Sequence, residues 1–414
     1  MAQINITLNQ DEILQLLKDD RNECFRKLLE NTLNSILKVE STKQLKAEPY
    51  ERSEERTDSR NGFRERELNT RIGKITLKVP RHRNQPFKTL IFDNYSRSEG
   101  ALVTTMAEMV ASGVSTRKVS KVIETLCGTK VSKSSVSEVC KTFDADVSKF
   151  RNRPLEESYP FMMIDATYFK VRLNGRVVSR AFMIAYATNA KGLREILGFN
   201  VYRNESEETW TDFLLSLKNR GLSGLMMITS DAHDGMIRAI SKVFPDVPWQ
   251  RCQFHFSKNI SEKTPKKYQA GLRAELQEMY NCDTIEQSRR KRDQIIDDYS
   301  DVAESAMKTL DEGFEDAMTV MALPKTIRRL FRTSNKIERL NRELKRRSDV
   351  IGVFSNDESL LRLMGVVLIE ENEKNKSAGK ATFSENTYRM FDVSSVKDKL
   401  HSIAEEQRNL LKAL

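Results

Sequence analysis

Three carboxylates stand in surroundings that are unusual for surface acids. Asp165 interrupts the apolar, β-prone run FMMIDATYF, and Asp231 ends a second such run, GLMMITSD. A carboxylate in a buried strand costs free energy unless a partner compensates it, and a divalent cation is a good partner. The third acid is Glu338, which lies in the basic, helical segment Thr333–Arg347. We predict that the three acids meet around metal ions.

Such an arrangement suits phosphoryl transfer. Two divalent ions about 3.5–4 Å apart assist this reaction, one at the attacking oxygen and one at the leaving oxygen. Mg²⁺ or Mn²⁺ prefers carboxylate oxygens, and Mg²⁺ keeps several waters, so a few acids and the substrate phosphate suffice. Asp231 ends its strand, and open α/β sheets place their sites at strand ends. The pattern therefore predicts two bound ions.

Each acid also has a plain structural alternative. Asp165 would then be hydrogen-bonded in the core, and Asp231 would cap the helix that follows it, with Asp234 as a rival metal ligand. Glu338 would belong to an ordinary helix ion pair, and the same helix carries Glu343. At about 100° per residue these two glutamates fall on opposite flanks of the apolar stripe. The flank of Glu338 is the more cationic one, which favours Glu338.

The helix of Glu338 also provides the cations expected to hold DNA phosphates. These are Arg339, Arg342, Lys345 and Arg346.

Two further motifs have open interpretations. In WQRCQFHF, Cys252 and His255 form a C-x-x-H pair, which lacks two of the four ligands of a zinc site. The pair either orients the scissile phosphate or packs locally. Trp210, in SEETWTDF, either belongs to the core, as such residues most often do, or stacks on a base.

The whole chain limits the classes of function. Its 414 residues carry 69 Lys and Arg against 59 Asp and Glu, a net charge of +10, which suits a nucleic-acid partner. No apolar run reaches about 18 residues, so we expect no membrane span. The phosphate-binding patterns GxxxxGK[ST] and GxGxxG do not occur in the sequence, which argues against a nucleotide cofactor. The five scattered cysteines and the lack of a signal-peptide pattern predict a reducing, cytoplasmic location.

The first 99 residues divide into a helical and a basic part. Residues 1–48 have apolar residues at helical spacing, which predicts a small helical subdomain or a dimerising helix pair. Residues 49–99 form a basic linker and hairpin arm, with alternating residues around Gly73. Such an arm, including Arg64 and Arg71, suits a phosphate backbone or a minor groove, although a solvated hairpin has the same pattern.

Residues 100–153 predict a helix-turn-helix. A helix over Ala101–Ser112 precedes two capped helices within Gly113–Gly128 and Val131–Phe143. The last one carries Lys133 and Ser135, a small polar and basic face suited to the major groove. A plain three-helix bundle would look the same in sequence.

Beyond residue 153 the pattern changes to α/β. Residues 154–256 predict three antiparallel strands, a helix, a strand, a helix and a strand, an order that resembles the ribonuclease H-like fold. Residues 257–330 predict an all-helical insertion, residues 331–375 the helix of Glu338, and residues 376–414 a helical tail.

Five segments carry a family resemblance: MIDATYFKVR, ESEETW, TSDAHDG, WQRCQFHFSKNI and SNKIERLNRELKRR. In this order they resemble the motifs of bacterial mutator-type insertion-sequence transposases, of the Mutator superfamily. The resemblance implies a DDE enzyme in which Asp165, Asp231 and Glu338 are catalytic, and a role for Cys252 and His255 in placing the DNA end.

The resemblance also implies partners. These are double-stranded DNA, as terminal inverted repeats and target, and a second copy of the chain in a homodimer, in a bacterial cytoplasm close to the nucleoid. Two alternatives remain from the sequence, a structure-specific endonuclease that does not join strands and a transposase-derived DNA-binding regulator.

Overall fold

The structure is a computed structural model that describes residues 21–51, 54–70, 72–89, 91, 100–111, 114–127, 131–379, 381–389 and 393–413. Its contacts form two compact units, Met1–Thr142 and Phe143–Leu414. The first unit contains the predicted basic arm and most of the predicted helix-turn-helix region, and the second contains all three predicted acids.

The first unit begins with a helix packed on a hairpin. Helix α1 (Arg21–Leu45) precedes the antiparallel strands β1 (Arg60–Thr70) and β2 (Gly73–His82). Alternate residues of β2 are buried, and they enclose Leu37 of α1 in a small apolar core. The strands of this hairpin extend beyond the alternating residues around Gly73 that predicted it. Residues 1–20 of the predicted N-terminal helical region lie outside the described residues.

Three short helices follow in the same unit: α2 (Gly100–Ala111), α3 (Thr116–Cys127) and α4 (Lys133–Cys140). All three pack against one another. Helix α4 begins at the predicted cap, because the Ser132 hydroxyl accepts a 3.0 Å hydrogen bond from the Ser135 amide. Three packed helices agree with the expected helical pattern, and major-groove binding remains a prediction.

The second unit is built on a mixed five-stranded sheet. Helix α5 (Phe143–Asn152) precedes it, and the spatial order of its strands is β5-β4-β3-β6-β7. Strands β3, β4 and β5 are antiparallel, whereas β6 and β7 run parallel to β3. The bounds are Phe161–Leu173 for β3, Arg176–Thr188 for β4, Arg194–Tyr202 for β5, Met227–Ser230 for β6 and Trp249–Arg251 for β7.

A two-residue turn sets the register of β3 and β4. Asn174 and Gly175 have φ values of 48° and 80°, as a type I′ turn requires, and Leu173 pairs with Arg176 across it. The predicted Asn-Gly hairpin is confirmed. Together with α6 (Glu207–Asn219) and α7 (Asp234–Val243), the strands follow the predicted order of elements.

Helices α6 and α7 pack against the sheet and form its main core. This core includes Met162, Ile164, Trp210, Phe213 and Ile240. On other surfaces of the unit, α13 (Asp357–Ser377) packs against β5 and α5.

The predicted insertion is helical and has a core of its own. Its helices are α8 (Gln253–Glu262), α9 (Gln269–Tyr280), α10 (Ile285–Met318), which is kinked at Ala303, and α11 (Lys325–Phe331). Phe256, Leu276, Leu310 and Phe314 lie in that core.

The remaining helices complete the unit. They are α12 (Asn335–Asp349), which carries Glu338, α14 (Glu385–Arg389) and α15 (Val393–Ala413), with short 3₁₀ helices at Lys266–Tyr268 and Thr319–Ala322. Among the described residues, none of these or the earlier helices is both long enough and apolar enough to span a bilayer.

Candidate active site

The two predicted aspartates lie on neighbouring parallel strands. Met163 of β3 pairs with Thr229 of β6, and each aspartate is two residues beyond its member of this pair. Asp165 therefore comes opposite Asp231, which directly follows the last residue of β6. The carboxyl end of β6 brings together two acids that are far apart in sequence.

Asp165 is held in a setting that disfavours its charge. Its Oδ1 accepts a 2.9 Å hydrogen bond from the Ala166 amide, and its Oδ2 accepts a 2.6 Å bond from the side chain of Asn341. Burial raises the pKa of Asp165 to about 7, and the negative charge of Asp231 adds to the rise. Burial and the charge of Asp231 thus outweigh the nearby positive charge of His255, which acts to lower the pKa of Asp165.

Glu338 reaches the same place from helix α12. Residues three apart on a helix lie on one face, about 5–6 Å apart, so Glu338 is close to Asn341, which binds Asp165. On its other side, a Glu338 oxygen lies 3.7 Å from Nε2 of His255. His255 is in turn close enough to Asp231 for that acid to raise its pKa. The structure therefore brings the three predicted acids to one site.

The C-x-x-H motif forms a hydrogen-bonded network beside Glu338. The Ser334 hydroxyl lies 3.2 Å from Sγ of Cys252 and 3.1 Å from Oε1 of Glu338, and the Ser334 amide also donates to Sγ. The hydrogen bond between Cys252 and His255 raises the pKa of His255 to about 9, against the effect of burial. Burial would raise the pKa of the Cys252 thiol, but the hydrogen bonds from His255 and Ser334 hold it below its ordinary value. His255 is therefore cationic next to Glu338 at neutral pH.

The site contains two sets of possible metal ligands, and each set suits a different metal. The three acids offer hard oxygens, which suit Mg²⁺ or Mn²⁺. The buried Oδ1 of Asn341 has no hydrogen-bond partner among the described residues, so the pocket has a polar atom free for a ligand or a water. These features fit a divalent cation held by oxygen.

Cys252, His255 and Glu338 form the second set, with ligand atoms within 4.8 Å of one another. Within the described residues, no group of three so close includes both aspartates. Glu338 thus adds a third possible ligand to the two of the C-x-x-H motif. The sulfur of Cys252 already accepts a hydrogen bond from the amide of Ser334.

Two alternatives from the sequence are resolved by the contacts of the helices. Glu343 binds Arg346 through two hydrogen bonds of 2.7 and 2.8 Å, and this contact lowers the pKa of Glu343 to about 2. Glu343, not Glu338, is thus the acid of the ordinary helix ion pair. The N-cap residue of α7 is His233, so Asp231 does not occupy that position.

The structure corrects two predicted DNA contacts. The side chain of Trp210 is fully buried in the core of the sheet, together with Phe213, and offers no face to a base. Cys252 is fully buried as well, and its sulfur contacts Ser334 and offers no surface to DNA.

Of the other predicted DNA contacts, His255 is partly buried, Arg71 lies outside the described residues, and the rest lie at the surface. The exposed residues are Arg64, Lys133, Ser135, Arg339, Arg342, Lys345 and Arg346. Of these, Arg346 is already paired with Glu343.

Three residues of the site were not identified from the sequence. Asn341 contacts Asp165 because α12 packs beside β3. Ser334 contacts Glu338 locally, four residues away, and meets Cys252 at the start of α8. Glu205 approaches Asp231 because the loop before α6 lies against the start of α7. The two segments are so close that a Cβ atom added to Gly235 would lie 2.7 Å from the amide nitrogen of Glu207. Burial raises the pKa of Glu205, His233 opposes the rise and Asp231 adds to it. The helical spacing of α12 marks both Asn341 and Ser334 as neighbours of Glu338, but no sequence signal marks Glu205.

The fold and the site define a mixed α/β protein whose acids gather at one end of parallel strands. A family model for transposases of the Mutator family matches residues 1–378. This chain belongs to the Mutator family of transposases.

Curated relatives agree with this assignment. The chain is 41% identical over 378 residues to the transposase for insertion sequence element IS256 in transposon Tn4001 of Staphylococcus aureus, covering 90% of this chain and 97% of the relative. It is 37% identical to the transposase for ISRM5 of Rhizobium meliloti, over 84% of this chain and 88% of the relative. The transposase for IS1081 of Mycobacterium tuberculosis is also 37% identical, over 87% of this chain and 88% of the relative.

Proposed function

We propose that this chain is a DDE transposase that binds the terminal inverted repeats of an insertion sequence and cleaves and joins DNA strands in a metal-dependent reaction. Asp165, Asp231 and Glu338 are the catalytic acids. The observation that carries the proposal is the meeting of the three acids, joined by the Asn341–Asp165 and His255–Glu338 contacts.

We further propose that the second unit has a ribonuclease H-like core. Its support is the strand order β5-β4-β3-β6-β7, with three antiparallel strands followed by two strands parallel to β3. One acid lies within β3 and another directly after β6. The helical insertion then separates β7 from the helix of Glu338.

The acids would hold two Mg²⁺ or Mn²⁺ ions. When bound, such ions activate the attacking oxygen and stabilise the leaving oxygen of an in-line displacement. Asp165 is suited to this task, because a cation removes the charge conflict that raises its pKa. Ser334 and His255 orient Glu338 from one side, and Asn341 orients Asp165 from the other.

The chemistry proceeds in two displacements. Water first hydrolyses a phosphodiester at the element's end and frees a 3′-hydroxyl. That hydroxyl then attacks a phosphodiester of the target, so one P–O bond forms as another breaks. His255, cationic and partly exposed beside Glu338, would contact the phosphate under attack.

DNA would be held by both units. On α12, the exposed side chains of Arg339, Arg342 and Lys345 follow Glu338 and would bind backbone phosphates. In the first unit, Arg64 of the hairpin and Lys133 of α4 would contact the terminal repeat. We propose that a homodimer acts on the two repeats and on target DNA, in the bacterial cytoplasm.

An end-cleavage assay tests the catalytic assignment. Asp165→Asn should bind a duplex carrying the inverted repeat as the wild type does, and should lose Mg²⁺-dependent strand cleavage. Asp349→Asn, at the exposed end of α12, is the matched control and should cleave normally. Cleavage retained by Asp165→Asn would refute the assignment.

A joining assay separates a transposase from an endonuclease with the same acids. Pre-cut ends with a free 3′-hydroxyl are incubated with plasmid DNA and Mg²⁺. Covalent end-plasmid products are expected from the wild type and not from Asp165→Asn. Cleavage of intact ends without any joined product would favour the endonuclease.

A further inference from the structure

A cleft with a volume of about 530 Å³ opens next to the candidate active site. Its walls come from helices α8 and α9 and from the start of α12, all within the second unit. The residues that matter for its chemistry are Gln253, Phe254, Lys258, Arg273, Tyr280 and Arg332.

The cleft is cationic. The ten described residues that line it include Lys258, Arg273 and Arg332 and no aspartate or glutamate. A cleft that is lined by cations and by no acid attracts an anion.

Neutral oxygens fix two of these cations in place. Arg273 donates to the Ser261 hydroxyl at 3.2 Å, and Arg332 donates to the Asn281 side chain at 2.9 Å. Neither contact neutralises the guanidinium charge. Lys258 lies 3.7 Å from Glu262, in an exposed pair one helical turn apart that is weak in water.

An exposed aromatic ring stands at the edge of the cleft. Phe254 is 48% exposed, which is unusual for a phenylalanine in a structured helix. Its ring packs edge-to-face against His255, with centroids 5.5 Å apart. Because His255 also contacts Glu338, the exposed ring of Phe254 is separated from one of the acids by a single histidine.

We propose that this cleft receives one unpaired nucleotide of the DNA substrate, with its base against Phe254 and its phosphate between Arg273 and Arg332. The inference rests on the proposed function and adds a binding site to it. The cleft volume of about 530 Å³ lies in the usual range of small-ligand sites, which suits a single nucleotide that has left the stack. Stacking on an aromatic side chain and a cationic path for the backbone are the usual means of holding such a nucleotide.

Binding of a defined probe tests the proposal without knowledge of the terminal repeat. Full-length protein is titrated, without divalent metal, against a blunt duplex, the same duplex with a short thymidine overhang, and one whose overhang is abasic. The wild type should bind the thymidine overhang at least about fivefold more tightly than the abasic one, since stacking contributes at this scale.

Variants locate the effect. Phe254→Ala should bind both overhangs equally, and Phe254→Trp should keep the preference. Leu215→Ala, an exposed apolar residue of α6 outside the cleft, is the control and should behave as the wild type. Arg273→Ala should weaken binding of both overhangs and reduce the slope of log K against log salt by about 0.7, as expected for one lost single-strand phosphate contact.

Two results would overturn the inference: no preference for the thymidine overhang in the wild type, or a full preference in Phe254→Ala. Either result leaves the proposed function standing as long as the wild type cleaves ends and Asp165→Asn does not. Cleavage by Asp165→Asn would instead refute the proposed function, whatever the overhang assay gives.

Discussion

The side-chain amide of Asn341 donates a 2.6 Å hydrogen bond to Oδ2 of Asp165, across 176 positions of sequence. Asn341 is buried and lies one turn after Glu338 on the same helix. This bond therefore fixes the distance between the helix of the glutamate and the strand of the first aspartate. A site for paired ions depends on such fixed distances.

Asn341→Asp should abolish strand cleavage, because it replaces the hydrogen-bond donor to Asp165 with a fourth acid in the site. Asn341→Ala should reduce apparent Mn²⁺ affinity or activity about 10- to 100-fold, the usual effect of losing a residue that orients a metal ligand. Cleavage rates measured over a range of Mn²⁺ concentrations give both values. Asn409→Ala, exposed on α15, serves as control. Wild-type Mn²⁺ dependence in Asn341→Ala would show that the bond does not position Asp165.

The raised pKa of Asp165 predicts a pH-dependent stability of the metal-free protein. The folded state keeps the proton up to about pH 7, whereas the unfolded chain loses it near its ordinary value of 3.8. The folded state thus binds more protons in this window, so the free energy of unfolding falls as the pH rises from about 4 to 7. Asp165→Asn should remove this contribution and be more stable at pH 8 without metal, on the order of 2 kcal/mol.

Denaturant titrations at pH 5 and pH 8 in EDTA measure this effect. Added Mg²⁺ should stabilise the wild type at pH 8 and have less effect on Asp165→Asn. If the variant is less stable than the wild type at pH 8 without metal, the folded state does not raise the pKa of Asp165 as expected.

Zn²⁺ should inhibit Mg²⁺-dependent cleavage through the second donor set. Cys252 and His255 add a sulfur and a nitrogen ligand to the oxygen of Glu338, and Zn²⁺ binds such ligands whereas Mg²⁺ favours oxygen alone. Binding there would withdraw Glu338 from the other acids. Cleavage assays with increasing Zn²⁺ should therefore show inhibition that Cys252→Ala relieves, provided that this variant still cleaves with Mg²⁺ alone. Cys282→Ala should remain inhibited, and equal inhibition of all three proteins would rule out this site.

The cations of α12 should differ in their contribution to DNA binding. Arg342→Ala and Lys345→Ala should each lower the slope of log K against log salt by about 0.9, as expected for one phosphate contact on duplex DNA. Arg346→Ala should have a smaller effect, because Glu343 already binds that guanidinium. Affinities for an end duplex at several salt concentrations provide the comparison. Equal slopes for all three variants and the wild type would place the DNA elsewhere.

Local sequence patterns were sufficient for the elements of the sheet. The Asn174–Gly175 turn and the apolar runs around Asp165 and Asp231 predict the strands correctly. The two aspartates were found because a carboxylate in or after a buried strand is visible in one short window of sequence.

Long-range packing could not be predicted in the same way. Ser334 meets Cys252 across 82 positions, and Asn341 meets Asp165 across 176. Both contacts depend on how α12 is placed by the whole insertion, and no local pattern encodes that placement. The burial of Trp210, in contrast, could be predicted from the local sequence. Phe213, Leu214 and Leu217 follow it at helical spacing and mark the inner face of α6.

The most direct test of the shared metal site is a crystal structure of the protein with a DNA end and Mn²⁺, with anomalous scattering used to locate the ions. We expect anomalous peaks between the carboxylate oxygens of Asp165, Asp231 and Glu338, next to a DNA phosphate. Peaks at Cys252 and His255 alone, or none near Asp165, would contradict this expectation.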